Sequence, residues 1–424
     1  MHESSAQSAS SEPAPSLIKK LARDPRLPAI AAIALWLACV TLFSGTHCLF
    51  DEDQHQEVVI EIARRGFFFP DDLPMIPGWH ALCSLLVPWF GTGLLPMRVV
   101  SALSGIIAVF ALDDAGRSLH LNTTHRALLM FQPLLFPFFG LAYTDALALA
   151  YLGLAIAMNL RGRHWLSALA LGGGVLVRQT TLVWLIVLLA RTLWTESITP
   201  SRRLVLRSDA PKKCAPYLVV LAGFGAFALL HGRLTAGRAP ENQPGFNAAQ
   251  IWVFGLFVLA FWAPIWLRHW RAATALLTEL TARSKPLAWS LLAGLSAVWV
   301  VSSIYFRNPH RWNHEHGFVR NWPLRLMGRV TLSRPILIFA ALIGLCALLV
   351  YLLKARSFEL WLVVVLTLSM LATTVIVEPR YYIAPFVLGT LFARFPKQDQ
   401  RRLLAWQIAL SAAGCILIFW RVLW

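Results

Sequence analysis

The chain has 424 residues, of which 57% are hydrophobic and only 14% charged, with a mean hydropathy of +0.60. Soluble domains carry roughly a quarter charged residues, so a soluble globular fold is excluded and a bilayer is the main solvent. The formal net charge of +17 would suggest nucleic acid in a soluble protein, but here Lys and Arg occupy short connections between apolar runs. With no polar domain that interleaves them with aromatics, they read as topology signals, and nucleic acid is not an expected partner.

In chain order, residues 1–26 are Ser-, Ala- and Pro-rich and polar, which predicts a disordered cytoplasmic tail without a cleavable signal peptide. Lys19, Lys20, Arg23 and Arg26 hold that tail inside. Residues 27–424 then read as a single polytopic domain. Apolar runs fall near 28–46, 79–92, 98–112, 127–143, 145–160, 164–177, 179–190, 215–231, 248–267, 287–303, 335–353, 359–376, 382–394 and 403–420. They lack period-2 alternation, which predicts an all-α integral membrane protein and not a barrel. The run 79–92 decides the topology. If it crosses, the basic connections Arg161–His164, Arg191–Lys213, Arg268–Lys285 and Arg401–Arg402 fall outside; if it is interfacial or re-entrant, all fall in the cytoplasm with Arg117 and Arg126. The second choice obeys the positive-inside rule and suits the Pro88 and Gly91 interruptions. It predicts about 13 transmembrane helices, the C-terminus outside, and an external first loop carrying a juxtamembrane helical segment.

In that topology the unusual polar clusters share one side. The first loop, residues 47–78, holds seven of the chain's 21 acidic residues: Asp51, Glu52, Asp53, Glu57, Glu61, Asp71 and Asp72. Carboxylates contribute little to orientation, so they need another reason. If 51–65 is helical, Asp51 and His55 share a side and Val58, Val59 and Ile62 form a stripe for the membrane surface. The segment reads either as a solvated acidic face, with Glu61 paired to Arg64 or Arg65, or as the source of a general base for a sugar hydroxyl. Asp145 sits at the junction of two apolar runs, where it caps the next helix or orients a hydroxyl. Arg178 and Gln179 interrupt a hairpin; Arg178 is either a snorkelling cation or a fork for phosphate. The same pair of readings holds for Arg380 in Glu378-Pro379-Arg380-Tyr381, where Glu378 can simply neutralise its neighbour. The segment 304–334, with Arg311 and Arg320 among its cations and Trp312 and Trp322 for stacking, is external yet basic, which suits a phosphate head group bearing sugars. His314 and His316 lack a matching carboxylate set, and Gly172–Gly174 reads as a helix-packing site. Of the six cysteines only Cys48 and Cys83 could face an oxidising compartment together, and spacing alone does not establish a disulfide.

Taken as an ordered set, these segments resemble the dolichyl-phosphate-glucose alpha-1,2-glucosyltransferase family, within the superfamily C membrane glycosyltransferases (GT-C type). The likeness lies in Asp51-Glu52-x-x-His55, Pro77-Gly78, Tyr143-Thr144-Asp145, Val177-Arg178-Gln179-Thr180-x-x-Val183-Trp184, Gln250 within Ala249-Gln250-Ile251-Trp252, and Glu378-Pro379-Arg380-Tyr381-Tyr382-Ile383-Ala384-Pro385. The chain departs from the family pattern in 304–334, where the Asn-Arg-His-Tyr run has only a loose counterpart, and at Asp71-Asp72-Leu73-Pro74. The resemblance implies an inverting, metal-independent and cofactor-free transfer of a hexose, glucose by the family's pattern, from a polyprenyl-phosphate donor. The acceptor would be a lipid-linked oligosaccharide or another glycan. It implies Asp51 as the base with Glu52 as second choice, Arg178 and Arg380 on the departing phosphate, and Asp145 with His55 on the hydroxyl. The membrane would be the endoplasmic reticulum in a eukaryote and the inner or plasma membrane in a bacterium. A lipid or sugar transporter is the other class; it would want discontinuous helices and midplane charges in two related halves, which the sequence does not display.

Overall fold

A computed structural model of the chain describes residues 26–44, 52–71, 73–196, 204–206, 208–237, 245–308, 322–329, 332–355 and 357–419. Asp51, Asp72, Cys48, Arg311, Arg320 and the tail expected at 1–26, save Arg26, lie outside the described residues. The described chain is helical throughout apart from one antiparallel ribbon, in which β1 (Trp194–Glu196) pairs with β2 (Leu204–Leu206), Thr195 opposite Val205.

The helices follow in order: α1 (Leu27–Ser44), α2 (Glu52–Arg65), α3 (Gly78–Ser84), α4 (Val87–Phe90), α5 (Leu95–Ser118), α6 (Thr123–Met130), α7 (Leu135–Gly140), α8 (Asp145–Leu160), α9 (His164–Val177) and α10 (Thr181–Leu193). After the ribbon come α11 (Ala210–His231), α12 (Ala249–Phe261), α13 (Ala263–Arg283), α14 (Lys285–Tyr305), α15 (Trp322–Arg329), α16 (Ser333–Ala355) and α17 (Phe358–Ala372). A 3-10 turn (Pro379–Tyr382) then leads into α18 (Ile383–Phe392) and α19 (Lys397–Phe419). Four of them, α5, α11, α14 and α16, are long and apolar enough to cross a membrane by themselves. The membrane character expected from composition therefore stands.

Local chemistry explains the boundaries. Asn122 accepts the His125 N–H at the start of α6, and Ser284 and Ser357 cap α14 and α17 in the same way. Two apolar runs expected to be continuous are broken. The run 127–143 divides into α6 and α7 at Gln132-Pro133, and 248–267 divides into α12 and α13 ahead of Pro264. Proline disfavours a helical residue before it and removes a donor, which a count of apolar residues does not register. The basic connection Arg268–Lys285, expected as a loop, is mostly the helix α13. The run 79–92 forms two short helices, α3 and α4, neither long enough to span.

At the centre, α8 is packed between α5 and α9, while α12 packs against α16. The second pair meets backbone to backbone: a Cβ on Gly344 would stand 2.1 Å from the Gly255 carbonyl oxygen, and one on Gly255 would stand 2.5 Å from that of Ala341. The Gly172–Gly174 stretch does serve close packing, since Cβ atoms at Gly173 and Gly174 would strike Tyr151 and Thr181. Several central helices are short. With 16, 14 and 13 residues, α8, α9 and α10 reach about 20–24 Å at 1.5 Å per residue, less than the roughly 30 Å hydrocarbon core. Their breaks at Asp145 and at Arg178–Thr180 therefore recess polar groups into one end of the bundle.

Candidate active site

The first-loop helix α2 is amphipathic, with Val59 and Ile62 buried beneath Glu61 and Arg65, which form an exposed ion pair at 2.7 Å. Its first residue behaves differently from an acidic surface group. Glu52 is 0% exposed, takes Arg98 Nη2 at 2.9 Å and Nε at 3.3 Å, and accepts the Ala142 backbone N–H at 2.7 Å. One carboxylate thus ties the start of α2 to the first turn of α5 and to the break ahead of α8. A buried pair of this kind adds little net stability when intact, but losing one partner typically costs about 3–5 kcal/mol.

One turn along α2, His55 is buried and its Nδ1 lies 2.9 Å from Nε2 of His80 on α3. One of the two nitrogens must donate and the other accept. The His55 ring also meets Trp79 and Tyr143 edge-on, both at 5.6 Å between centroids. His80 is fully buried and its Nδ1 has no hydrogen-bond partner among the described residues. That burial, with His55 beside it, pushes its pKa well below the ordinary imidazole value and keeps it neutral.

Tyr143 carries the construction across. It is fully buried, its carbonyl accepts Ser101 Oγ at 3.2 Å, and the Arg380 guanidinium lies 5.1 Å from its ring centroid. Arg380 also lies over Tyr381 at 6.0 Å, and Arg178 reaches the same Tyr381 ring at 5.2 Å. Each guanidinium has a carboxylate beside it: Arg178 donates to Asp145 and Arg380 to Glu378. The second Asp145 oxygen is buried without a hydrogen-bond partner among the described residues. His55, Tyr143, Arg380, Tyr381, Arg178 and Asp145 accordingly form one continuous chain of contacts.

Asp145, Arg178, Thr181, Trp184, Arg380 and Tyr381 line a narrow cleft between α8, α10 and the 3-10 turn. Extended backbone at Arg178 aims its side chain there, and Pro379 opens the turn that does the same for Arg380. Gln179, one residue beyond, faces the first loop and donates to the Pro74 carbonyl at 3.4 Å. The turn is itself held by Gln250, whose amide donates to the Thr374 and Ile376 carbonyls at 3.1 and 2.6 Å and accepts the Tyr382 hydroxyl at 2.5 Å. Two guanidiniums about one ring, each with donors beyond those its carboxylate uses, can hold a phosphate group.

The structure thus brings together Asp145, Arg178, Glu378, Arg380 and Tyr381, with Glu52, His55 and Gln179 bordering them. Arg98 and His80 were not among the residues singled out from the sequence. Arg98 follows directly on the segment 47–97 that carries the acid cluster, so a cation beside surplus carboxylates was a usable signal. His80 gave none beyond its place after Pro77-Gly78.

The model of the DIE2/ALG10 family matches residues 83–203 and 192–391, together well over half of the chain. A Drosophila melanogaster protein named Dol-P-Glc:Glc(2)Man(9)GlcNAc(2)-PP-Dol alpha-1,2-glucosyltransferase is 25% identical over 389 residues, covering 82% of this chain and 84% of its own length. A Candida glabrata protein of the same name is 25% identical over 276 residues, 56% of this chain and 52% of its own. Among solved structures, ArnT from Cupriavidus metallidurans in the apo state aligns with 93% of this chain and 76% of its own at a TM-score of 0.41 and 17% identity. The family match spans the elements that build the cleft, from α8 through the 3-10 turn: the chain belongs to the DIE2/ALG10 family and is a membrane glycosyltransferase.

Proposed function

We propose that this glycosyltransferase moves glucose, with inversion, from a dolichyl- or other polyprenyl-phosphate donor to a hydroxyl of a lipid-linked oligosaccharide at the external or lumenal membrane face. The observation that carries the reading is the convergence of Arg178 and Arg380 on the Tyr381 ring, in a recessed cleft tied to the first-loop helix through the His55–Tyr143 and Tyr143–Arg380 contacts. The names of the Drosophila and Candida relatives support glucose as the donor sugar and a lipid-linked acceptor.

In the step itself the acceptor oxygen attacks the anomeric carbon while the bond from that carbon to the phosphate oxygen breaks. Its electron pair leaves with the polyprenyl phosphate, and the hydroxyl proton passes to a carboxylate. Asp51 is the proposed base. Glu52 is the weaker choice, because its two oxygens already receive Arg98 and the Ala142 N–H and it has no exposed surface. Arg178 and Arg380 take up the charge that develops on the leaving phosphate. Asp145 and Glu378 hold those guanidiniums in place, and His55 orients the hydroxyl. Arg311 and Arg320 are the proposed contacts to the head group or glycan.

The corresponding topology has thirteen crossings: α1, α5, α6 with α7, α8, α9, α10, α11, α12, α14, α16, α17, α18 and α19. In it α2, α3 and α4 lie at the external surface, and in a eukaryote the membrane is that of the endoplasmic reticulum. The test is turnover of purified Asp51→Asn and Glu52→Gln proteins with a polyprenyl-phosphate glucose donor. A positioned base contributes about 10²- to 10⁴-fold, so Asp51→Asn is expected to lose that much kcat while still binding donor. Normal turnover in Asp51→Asn removes the assignment.

A further inference from the structure

At the end of the bundle away from the cleft, α13, α14 and α16 leave a slot of about 600 Å³ between them. Its long walls are apolar, with Trp270, Leu295, Trp299, Phe339 and Ile343 among them, and Trp270 and Phe339 are more than half exposed. From Phe339 to Lys354 along α16 the slot runs about 22 Å at 1.5 Å per residue, more than the roughly 15 Å hydrocarbon depth of one leaflet. Thr274 and Ser296 add two hydroxyls to the lining, and its charged groups gather at one end. There Lys354 and Arg394 line the slot, both exposed, and neither is ion-paired among the described residues.

Nearby acids are engaged elsewhere. Asp113 takes Arg117 and Arg126, Asp114 takes Arg161, and Glu359 takes Arg191. Asp399 acts on Tyr351 from close by but is buried at the start of α19, outside the slot lining. Tyr351 stands between the two cations: its hydroxyl accepts the Arg394 backbone N–H at 2.9 Å, which leaves its own proton to donate. Two cations and a hydroxyl donor at one end of an acyl-length apolar slot are complementary to a single ligand class, an anionic phospholipid with its head group at that membrane surface.

We propose that the α13–α14–α16 slot binds an anionic phospholipid from the leaflet opposite the catalytic cleft, its phosphate on Lys354, Arg394 and Tyr351 and an acyl chain along Phe339, Ile343 and Trp299. The inference is independent of which sugar or acceptor the cleft uses. The lipid fills a lateral opening that α13 and α14 do not close themselves, so it holds α14 against α16.

Native mass spectrometry of the purified full chain, reconstituted in parallel with phosphatidylglycerol, with phosphatidylcholine and with a polyprenyl phosphate, tests it. Phosphatidylglycerol is expected to stay bound after gentle detergent removal and to raise the apparent melting temperature, with phosphatidylcholine doing neither. In Lys354→Gln/Arg394→Gln, retention is expected to fall about thirty-fold, from roughly 1 kcal/mol per basic residue at an anionic surface. Leu295→Trp, which fills the slot and keeps both cations, is expected to lose the lipid as well. Turnover with a water-soluble short-chain donor should be unchanged in both variants, which separates this site from the cleft. Equal retention by wild type and the double variant overturns the proposal, as does retention of polyprenyl phosphate in place of phosphatidylglycerol. So does undiminished phosphatidylglycerol binding in Leu295→Trp.

Discussion

Glu52 has no water around it, and that decides what its side chain does. Receiving Arg98 and the Ala142 backbone N–H, the carboxylate acts as an anchor. Glu52→Gln or Arg98→Met is expected to destabilise the fold by about 3–5 kcal/mol, the usual effect of removing one member of a buried ion pair. A large drop in apparent melting temperature in detergent checks this; Asp51→Asn should leave that temperature near wild type. His80 makes the same loop sensitive to pH. Its pKa is depressed by burial and by His55, so below the unfolded value of about 6.5 the unfolded chain binds a proton that the folded chain refuses. Stability is therefore fully present above about pH 6.5 and declines as the pH falls below it. Hydrogen-exchange protection of residues 52–84 is expected to weaken over that window. In His80→Phe the dependence should flatten.

The helices carry function mainly by where they stop. Arg178 occupies extended backbone between α9 and α10, and the 3-10 turn at Pro379–Tyr382 separates α17 from α18; continuous helices at either place would turn the guanidiniums away from Tyr381. The breaks need rigid neighbours, and the contact of α12 with α16 supplies them near Gln250, which fixes the 374–376 carbonyls. Gly344→Val would force its Cβ into the Gly255 carbonyl. Overpacking of this kind costs about 1–3 kcal/mol or more. The expected result is a lower melting temperature together with a raised KM for donor as Gln250 shifts; a fall in stability with an unchanged KM would uncouple the helix contact from the cleft.

For the whole molecule, the proposed thirteen-crossing arrangement would put Asn122-Thr123-Thr124 in the cytoplasm, with Asn122 exposed at the cap of α6. Expressed through a secretory pathway, the chain should stay unglycosylated at Asn122, whereas a sequon engineered into 238–244 should be modified; a glycan on Asn122 reverses the orientation. By itself the sequence determined the solvent, the helical class and the position of most chemistry-bearing breaks. These depend on local composition, and composition is written residue by residue along the chain. Helix continuity at Gln132-Pro133 and ahead of Pro264 was lost to proline, a local cause that apolar counting overlooks. Only the tertiary structure decided that Glu52 faces Arg98 and not water, that His80 backs His55, and that Arg178 and Arg380 share one ring although 202 positions separate them. Burial and pairing are properties of contacts between distant segments, and no spacing along the chain encodes which ends of which helices will meet.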